Sequence, residues 1–277
     1  MDIEKVLKEM QAFLPAQPAL RFKVKAGEPG RFECKIGGTP YFPKNMEYPR
    51  GKNHEFADQP LILLAQLNFE KLPAIPDFPE KGILQFFIAG DNMYGMADSG
   101  YGEELANQDN FRVIYHENII TDESLLLSAA EIPQYSGDLM LPFTGTYFLV
   151  PEQPEMMPPK AQDFRFGEAF LKVYNKYADE PCDVFFDLDE EIAEPLFNSD
   201  DDNPEALIGG YPVFAQSDPR EDEALADCDV LLFELDSYHD ADVDICWGDM
   251  GTGTFFIPRA NLKALDFSRV MYNYDCG

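Results

Sequence analysis

Basic side chains are scarce in this chain of 277 residues. Lysine and arginine number 21 against 51 aspartates and glutamates, which gives a formal net charge of −30 at pH 7. Such a charge repels phosphate backbones and anionic lipid headgroups, so it argues against nucleic-acid binding by counterion release and against membrane-surface binding. No nucleic-acid partner and no membrane partner is therefore expected.

Metal ligands and catalytic motifs are also few. The five cysteines are widely spaced and form no zinc-ligand pattern with the three histidines. The sequence contains no GxSxG elbow, HExxH helix or P-loop, the motifs that most directly identify a reaction. No catalytic residue, metal site or cofactor is assigned, and the sequence favours a non-catalytic protein without deciding the point.

Long hydrophobic runs are absent as well. The longest, such as LILLAQL at 61–67, are far too short to span a bilayer. The first residues lack the basic region and apolar stretch of a secretory signal. A cytoplasmic location is expected.

The apolar segments that do occur are short and are separated by glycine and proline, a pattern typical of β-strands. Together with 23 Phe and 13 Tyr they predict a mainly antiparallel β protein of the α+β class. Helical spacing of apolar residues predicts an amphipathic N-terminal helix over 3–14, and helices over 124–131 and 165–178. The predicted strands are residues 20–24, 31–36, 61–69, 82–89, 111–117 and 147–150.

One sequence unit occurs twice. IGGTPYF (36–42) matches IGGYPVF (208–214), and two further pairs of apolar segments follow with offsets between 168 and 172 residues. A Gly-Gly-x-Pro segment needs residues without Cβ, because φ is positive or backbones meet closely, and then a proline of fixed φ. Repetition of this device predicts an internal duplication. We predict a single compact domain over residues 1–277. Its two pseudo-repeats are expected at about 20–150 and 161–277, joined by a proline-rich segment at 151–160.

Seven blocks spread over most of the chain resemble the YwqG-like family, a bacterial group of unknown function. That resemblance implies an α+β or mainly β fold and no assigned activity. It also implies glutamine where this chain has Glu234 and tryptophan where it has Tyr274. The blocks are IGGTPYFP (36–43), PLILLAQLNFEKLP (60–73), KGILQFF (81–87), LIGGYPVFAQSDP (207–219), LLFELDS (231–237), CWGDMGTGTFFI (246–257) and DFSRVMYNYDC (266–276).

The candidate ligand or partner site consists of polar residues in strands and of the only tryptophan. A tryptophan face beside carboxylates can bind a cation or an amine. Alternatively, the region is a turn in which Asp249 caps backbone amides and Trp247 fills the core. Gln66 and Glu234 occupy equivalent repeat positions, where they either bond a backbone edge or line a cleft. The candidates are Gln66, Gln216, Glu234, Asp236, Trp247, Gly248 and Asp249.

Acidic residues concentrate in the second half of the chain. Residues 177–219 contain 13 acids and no lysine or arginine. The leading hypothesis is an acidic binding protein that engages a basic protein partner, as toxin-neutralising and other inhibitory proteins do. The alternative is an enzyme, or a small-ligand or cation binder, with a cleft near Asp236, Trp247 and Asp249. The oligomeric state is left open.

Overall fold

The computed structural model describes residues 2–52, 57–197 and 203–277. Within them, an eleven-stranded antiparallel sheet forms most of the protein, accompanied by four short helices and a separate two-stranded sheet. The predicted mainly antiparallel β, α+β class with an N-terminal helix is confirmed. Residues 198–202 of the acidic stretch, and His54, lie outside the described residues.

The helices are short and the strands are of ordinary length. The helices are α1 (Ile3–Met10), α2 (Phe166–Tyr174), α3 (Glu190–Phe197) and α4 (Arg259–Lys263). The strands are β1 (Gln17–Ala26), β2 (Lys35–Ile36), β3 (Ile62–Asn68), β4 (Ile83–Ile88), β5 (Phe111–His116), β6 (Tyr147–Pro151), β7 (Glu155–Met157), β8 (Ala206–Gly209), β9 (Val230–Asp236), β10 (Tyr238–His239), β11 (Asp244–Ile245), β12 (Thr252–Ile257) and β13 (Met271–Asp275).

Strands from both halves of the chain form one continuous sheet. Its order is β13-β12-β9-β8-β1-β6-β2-β3-β4-β5, and β7 also pairs with β1. β10 and β11 pair only with each other. The long strand β1 is central, because it pairs with β6 and β7 from the first part of the chain and with β8 from the second.

The core lies between the two ends of the sheet, which curve toward each other. Phe86 of β4 stacks on Phe233 of β9 with ring centroids 4.9 Å apart. The ring of Phe111 in β5 lies 5.2 Å from that of Tyr272 in β13, in a tilted arrangement. These four aromatic side chains are at most 1 % exposed. Burial of aromatic side chains in this interior therefore holds the two end strands of the sheet, β5 and β13, together.

The N-terminal helix begins where the sequence predicted and ends earlier. Asp2 caps α1 by accepting a hydrogen bond at Oδ1 from the Lys5 amide at 3.2 Å, and Val6 and Met10 are buried. The helix ends at Met10, and a turn connects it to Pro15. Of the helices in the described residues, none is long and apolar enough to cross a membrane.

Two predicted elements are wrong. The strand predicted over 31–36 is reduced to β2, because the carbonyls of Arg31 and Glu33 accept from the Gln66 side chain instead of from a neighbouring strand. The helix predicted over 124–131 is a short 3-10 turn at Glu123–Leu125. Beyond that turn, the Leu127 amide donates to the Phe42 carbonyl, so tertiary pairing replaces helix formation.

The two Gly-Gly-x-Pro segments have the same unusual backbone. Gly37 and Gly38 have φ of +65° and +72°, and Gly209 and Gly210 have φ of +66° and +70°. Residues other than glycine adopt such values only with strain. The duplication predicted from the sequence remains a proposal, which this match supports.

Candidate functional site

Polar side chains form two rows across one face of the part of the sheet that consists of β9, β12 and β13. Strand register pairs Thr254 with both Glu234 and Asn273, and it pairs Thr252 with both Asp236 and Asp275. Because alternate residues of a strand point to the same face, these six side chains share one face. The opposite face carries the aromatic core. The sequence thus places Glu234 and Asp236 together, and the structure adds Asp275 to them.

Glu234 is buried with one unsatisfied oxygen. Its Oε2 accepts a hydrogen bond from the Val213 amide at 3.0 Å, whereas Oε1 has no hydrogen-bond partner among the described residues. The side chain is 1 % exposed. Burial raises the pKa of Glu234 to about 8, against a smaller lowering by the Val213 amide. At pH 7 this carboxyl is therefore mainly protonated.

Asp236 and Asp275 are less buried and accept backbone hydrogen bonds. The Ser237 amide donates to Asp236 Oδ1 at 2.9 Å, and the Gln216 amide donates to Asp275 Oδ2 at 2.8 Å. Gln216 also donates from Nε2 to the Cys276 carbonyl at 2.7 Å. Burial raises the pKa of both aspartates to about 6.

Gln66 lies in the matching place of the first half and is fully satisfied. Its Oε1 accepts from the Tyr41 amide at 2.9 Å and from Gln85 Nε2 at 2.8 Å. Gln85 Oε1 in turn lies 2.9 Å from His116 Nε2. Burial lowers the pKa of His116 to about 4, so the imidazole is neutral and the whole network is uncharged at pH 7. Gln66 therefore forms hydrogen bonds with backbone groups and with the Gln85 side-chain amide. This arrangement corresponds to the first of the two roles considered for it, bonding to a backbone edge.

Trp247 belongs to the core. The side chain is 0 % exposed, and its ring contacts Tyr94 and Tyr274 at centroid distances of 5.4 and 5.8 Å. Gly253 leaves room for it, since a Cβ there would lie 2.4 Å from the indole ring. Gly248 turns the chain with φ +54°, and Asp249 is exposed. The indole face is thus covered by protein and is not an open platform for a cation.

A groove of about 610 Å³ runs along α2, and no sequence pattern predicted it. We call it the α2 groove. Helix α2 buries one side against the core, and the groove follows its other side. It is lined by Gly167, Glu168, Leu171, Lys172, Asn175 and residues 182–186.

Local contacts hold the α2 groove open. A Cβ on Gly167 would lie 3.0 Å from Phe185 Cβ, so the glycine lets the turn at Phe185 approach the helix. Phe185 packs against Phe170 at 5.6 Å. Asn175 donates to the Cys182 carbonyl at 2.7 Å and accepts from the Cys182 amide at 2.9 Å. Because both ends of the segment are fixed, the groove is preformed.

The rim of the α2 groove combines apolar and acidic side chains. Val184 is 50 % exposed and Phe186 is 74 % exposed. Lys172, which also lines the groove, has its ammonium 4.1 Å from the centroid of Phe13. The acids that follow on the surface, which we call the acidic surface, are Asp179, Glu180, Asp187, Glu190 and Glu191. Val184 and Phe186 lie between acidic residues in the segment CDVFFD (182–187). This pattern was a sequence signal for the site, but its meaning depends on the fold.

The acidic surface lacks counter-charges. Its five carboxylates are exposed, and none of them takes part in an ion pair within residues 2–52, 57–197 and 203–277. Cations elsewhere are engaged by other acids: Arg259 pairs with Asp77 and Asp229, and Arg269 pairs with Glu103 and Asp227. In the described part of the chain, no group of three or more His, Cys, Asp or Glu side chains has the geometry of a metal site.

Residues 34–276 match the model of a family described as a domain of unknown function, DUF1963. The chain belongs to this family. The match covers the Gly-Gly-x-Pro segments, the polar rows and the α2 groove. A comparison with curated proteins gives no match. The family therefore supports the resemblance noted in the sequence at its coarser level, a family without an assigned activity.

Proposed function

We propose that this protein is a non-catalytic, cytoplasmic binding protein whose acidic surface engages a basic protein partner. The narrower assignment to the YwqG-like group is part of the same proposal and rests on the seven sequence blocks. The observation that carries the function is the set of exposed carboxylates on the acidic surface, none of which forms an ion pair within the described residues.

Unpaired surface carboxylates of one sign produce a field that attracts a cationic partner. Opposite potentials accelerate encounter and select against partners of like charge. Lys5, Lys172 and Lys176 are cations on this side of the molecule. Their ammonium groups lie over aromatic rings: that of Lys5 is 4.0 Å from the centroid of Tyr177, and those of Lys172 and Lys176 are 4.1 and 5.5 Å from the centroid of Phe13. The acidic surface thus stays available to an external cation.

The alternative, a small-ligand or cation site near Asp236, Trp247 and Asp249, has less support from the geometry. The Trp247 ring is covered by Tyr94 and Tyr274. Asp249 is exposed, so it does not share the buried environment of the indole. A ligand there would have to displace core aromatics.

The proposal is tested with oligolysine as the probe and with two variants of equal net charge. In the acidic-surface variant, all five carboxylates are replaced by the corresponding amides. In the control variant, five other exposed glutamates of the first half become glutamine: Glu28, Glu47, Glu70, Glu80 and Glu123. Titration calorimetry at low and moderate salt measures the Kd for each protein.

We expect the acidic-surface variant to bind oligolysine about tenfold more weakly than the control variant, since five local charges are lost from the site. The affinity of the unmodified protein should also fall steeply with salt. Equal weakening in the two variants, or affinity that does not change with salt, would contradict the proposal.

A further inference from the structure

The α2 groove combines apolar exposure with a fixed shape. Phe186 is 74 % exposed and Val184 is 50 % exposed, while Phe185 between them is buried beneath the groove. The two hydrogen bonds between Asn175 and Cys182 fix the segment that carries these side chains. Contiguous exposed apolar surface on a rigid frame is typical of a contact site, whereas single exposed apolar residues are common anywhere.

The charge around the groove determines what can occupy it. Glu168 and Asp183 line the groove together with the cation Lys172, whose ammonium lies over the Phe13 ring. Asp187 follows Phe186 directly. Another copy of this chain would bring a second net charge of −30 to the same place and would be repelled. An anionic membrane would be repelled for the same reason. A segment that carries positive charge beside an apolar side chain matches both the acidic residues around the groove and its exposed apolar surface.

We propose that the α2 groove binds an apolar side chain of a basic segment in the partner protein, with lysines or arginines on either side of that side chain contacting the acidic surface. This inference rests on the proposed function and adds to it a defined anchor. The groove volume of about 610 Å³ falls in the range of sites that enclose small ligands and is ample for one leucine or phenylalanine side chain. The apolar contact supplies affinity that salt does not screen.

Two synthetic peptides with the same number of lysines test the inference. One has leucine at its remaining positions, and the other has serine. The proteins are the unmodified chain, Phe186→Ala, and Tyr101→Ala as a matched control. Tyr101 is 73 % exposed, and its neighbours belong to a different turn of the chain. Both substitutions remove an exposed ring. Because Phe186 also packs against Phe185 and Phe197 at 5.7 and 6.4 Å, circular dichroism and the Tm check that each variant keeps the fold.

We expect the unmodified protein and Tyr101→Ala to bind the leucine peptide about tenfold more tightly than the serine peptide in titration calorimetry, because one leucine side chain leaves water. Phe186→Ala should reduce this preference to about twofold or less. The acidic-surface variant should weaken both peptides by a similar factor and keep the preference.

The outcomes separate the two proposals. Equal affinity of the unmodified protein for both peptides would overturn the groove proposal and leave the acidic surface intact. A leucine preference that survives in Phe186→Ala would also overturn it, since the anchor would then bind elsewhere. Binding of neither peptide would overturn the proposed function itself.

Discussion

The buried carboxyl of Glu234 lowers the free energy of unfolding at neutral pH. This residue occupies the place of Gln66 in the first half, and both side chains accept a hydrogen bond from the backbone amide of their own Gly-Gly-x-Pro segment. Gln66 also donates through Nε2 to two carbonyls. Glu234 instead has an unsatisfied oxygen and a carboxyl whose ionised form is destabilised by burial.

The raised pKa of Glu234 makes stability depend on pH with a definite sign. Above about pH 4.5 the unfolded chain releases the Glu234 proton, while the folded protein keeps it until about pH 8. The unfolded state then binds fewer protons, so the stability that this group contributes is full below pH 4.5 and is lost as pH rises toward 8. Each pKa unit corresponds to about 1.4 kcal/mol, so the total loss is on the order of several kcal/mol.

We predict that Glu234→Gln raises the free energy of unfolding at pH 7 by about 3 kcal/mol and has little effect near pH 4. Urea unfolding followed by the fluorescence of buried Trp247, at several pH values between 4 and 8, measures this. Gln66→Glu is the reciprocal change and should destabilise the protein at pH 7, because it removes both donors to the carbonyls of Arg31 and Glu33. A pH slope in Glu234→Gln as steep as in the unmodified protein would show that Glu234 is not its source.

At the scale of elements, the glycine that ends β8 allows β8 to pair with β1. Gly209 has φ +66°, and a Cβ there would lie 2.3 Å from the Pro18 carbonyl oxygen. Gly100 has nearly the same φ, +67°, with nothing within 4 Å of its Cβ position. The two glycines therefore separate the cost of backbone strain from the cost of a clash.

We predict that Gly100→Ala costs about 1 kcal/mol through the left-handed backbone alone. Gly209→Ala should cost roughly 3 kcal/mol or more, because it must also displace β1 from β8. Urea unfolding at pH 7 compares the two variants. Equal destabilisation would mean that β1 yields readily and that close packing at this joint contributes little.

Sequence patterns predicted the strands of the central sheet well and failed where side chains capture the backbone. The runs at 61–69 and 82–89 became β3 and β4, which pair with strands on both sides and whose consecutive apolar residues are buried on both faces of the sheet. Residues 31–33 show the opposite case. Their carbonyls accept hydrogen bonds from the side chains of Gln66 and Asn68, which accounts for their lack of strand structure. No local pattern at 31–33 reveals a side-chain amide more than thirty residues away.

The candidate site was predictable only in part for the same reason. Polar residues inside strands indicated Gln66 and Glu234, and the rule that such groups find hydrogen bonds applies fully to the first. Asp275 joined Glu234 and Asp236 through strand order, which the sequence did not specify. The α2 groove depends on how Phe185 meets Gly167 and how Asn175 holds Cys182. Helix periodicity predicted α2 but carried no information about these contacts.

At the scale of the whole molecule, folding brings a net charge of −30 into a compact volume. Like charges that are far apart in the unfolded chain approach one another in the folded protein, and this repulsion opposes folding. Ion pairs such as those of Arg259 and Arg269 offset it in places, whereas the acidic surface has no such compensation among the described residues. Electrostatic self-repulsion is therefore concentrated where binding is proposed.

We predict that salt stabilises this protein. The screening length falls from about 30 Å at 0.01 M to about 10 Å at 0.1 M, so repulsion across the acidic surface weakens over that range. The Tm should rise by roughly 2–4 °C between low salt and about 0.5 M NaCl, which corresponds to about 1–2 kcal/mol for a protein of this size. The acidic-surface variant should show a smaller rise than the control variant, although both have lost five charges, because clustered charges repel more strongly than scattered ones. A Tm that falls with salt would mean that the ion pairs outweigh the repulsion, and equal rises in the two variants would mean that the excess charge is spread evenly over the molecule.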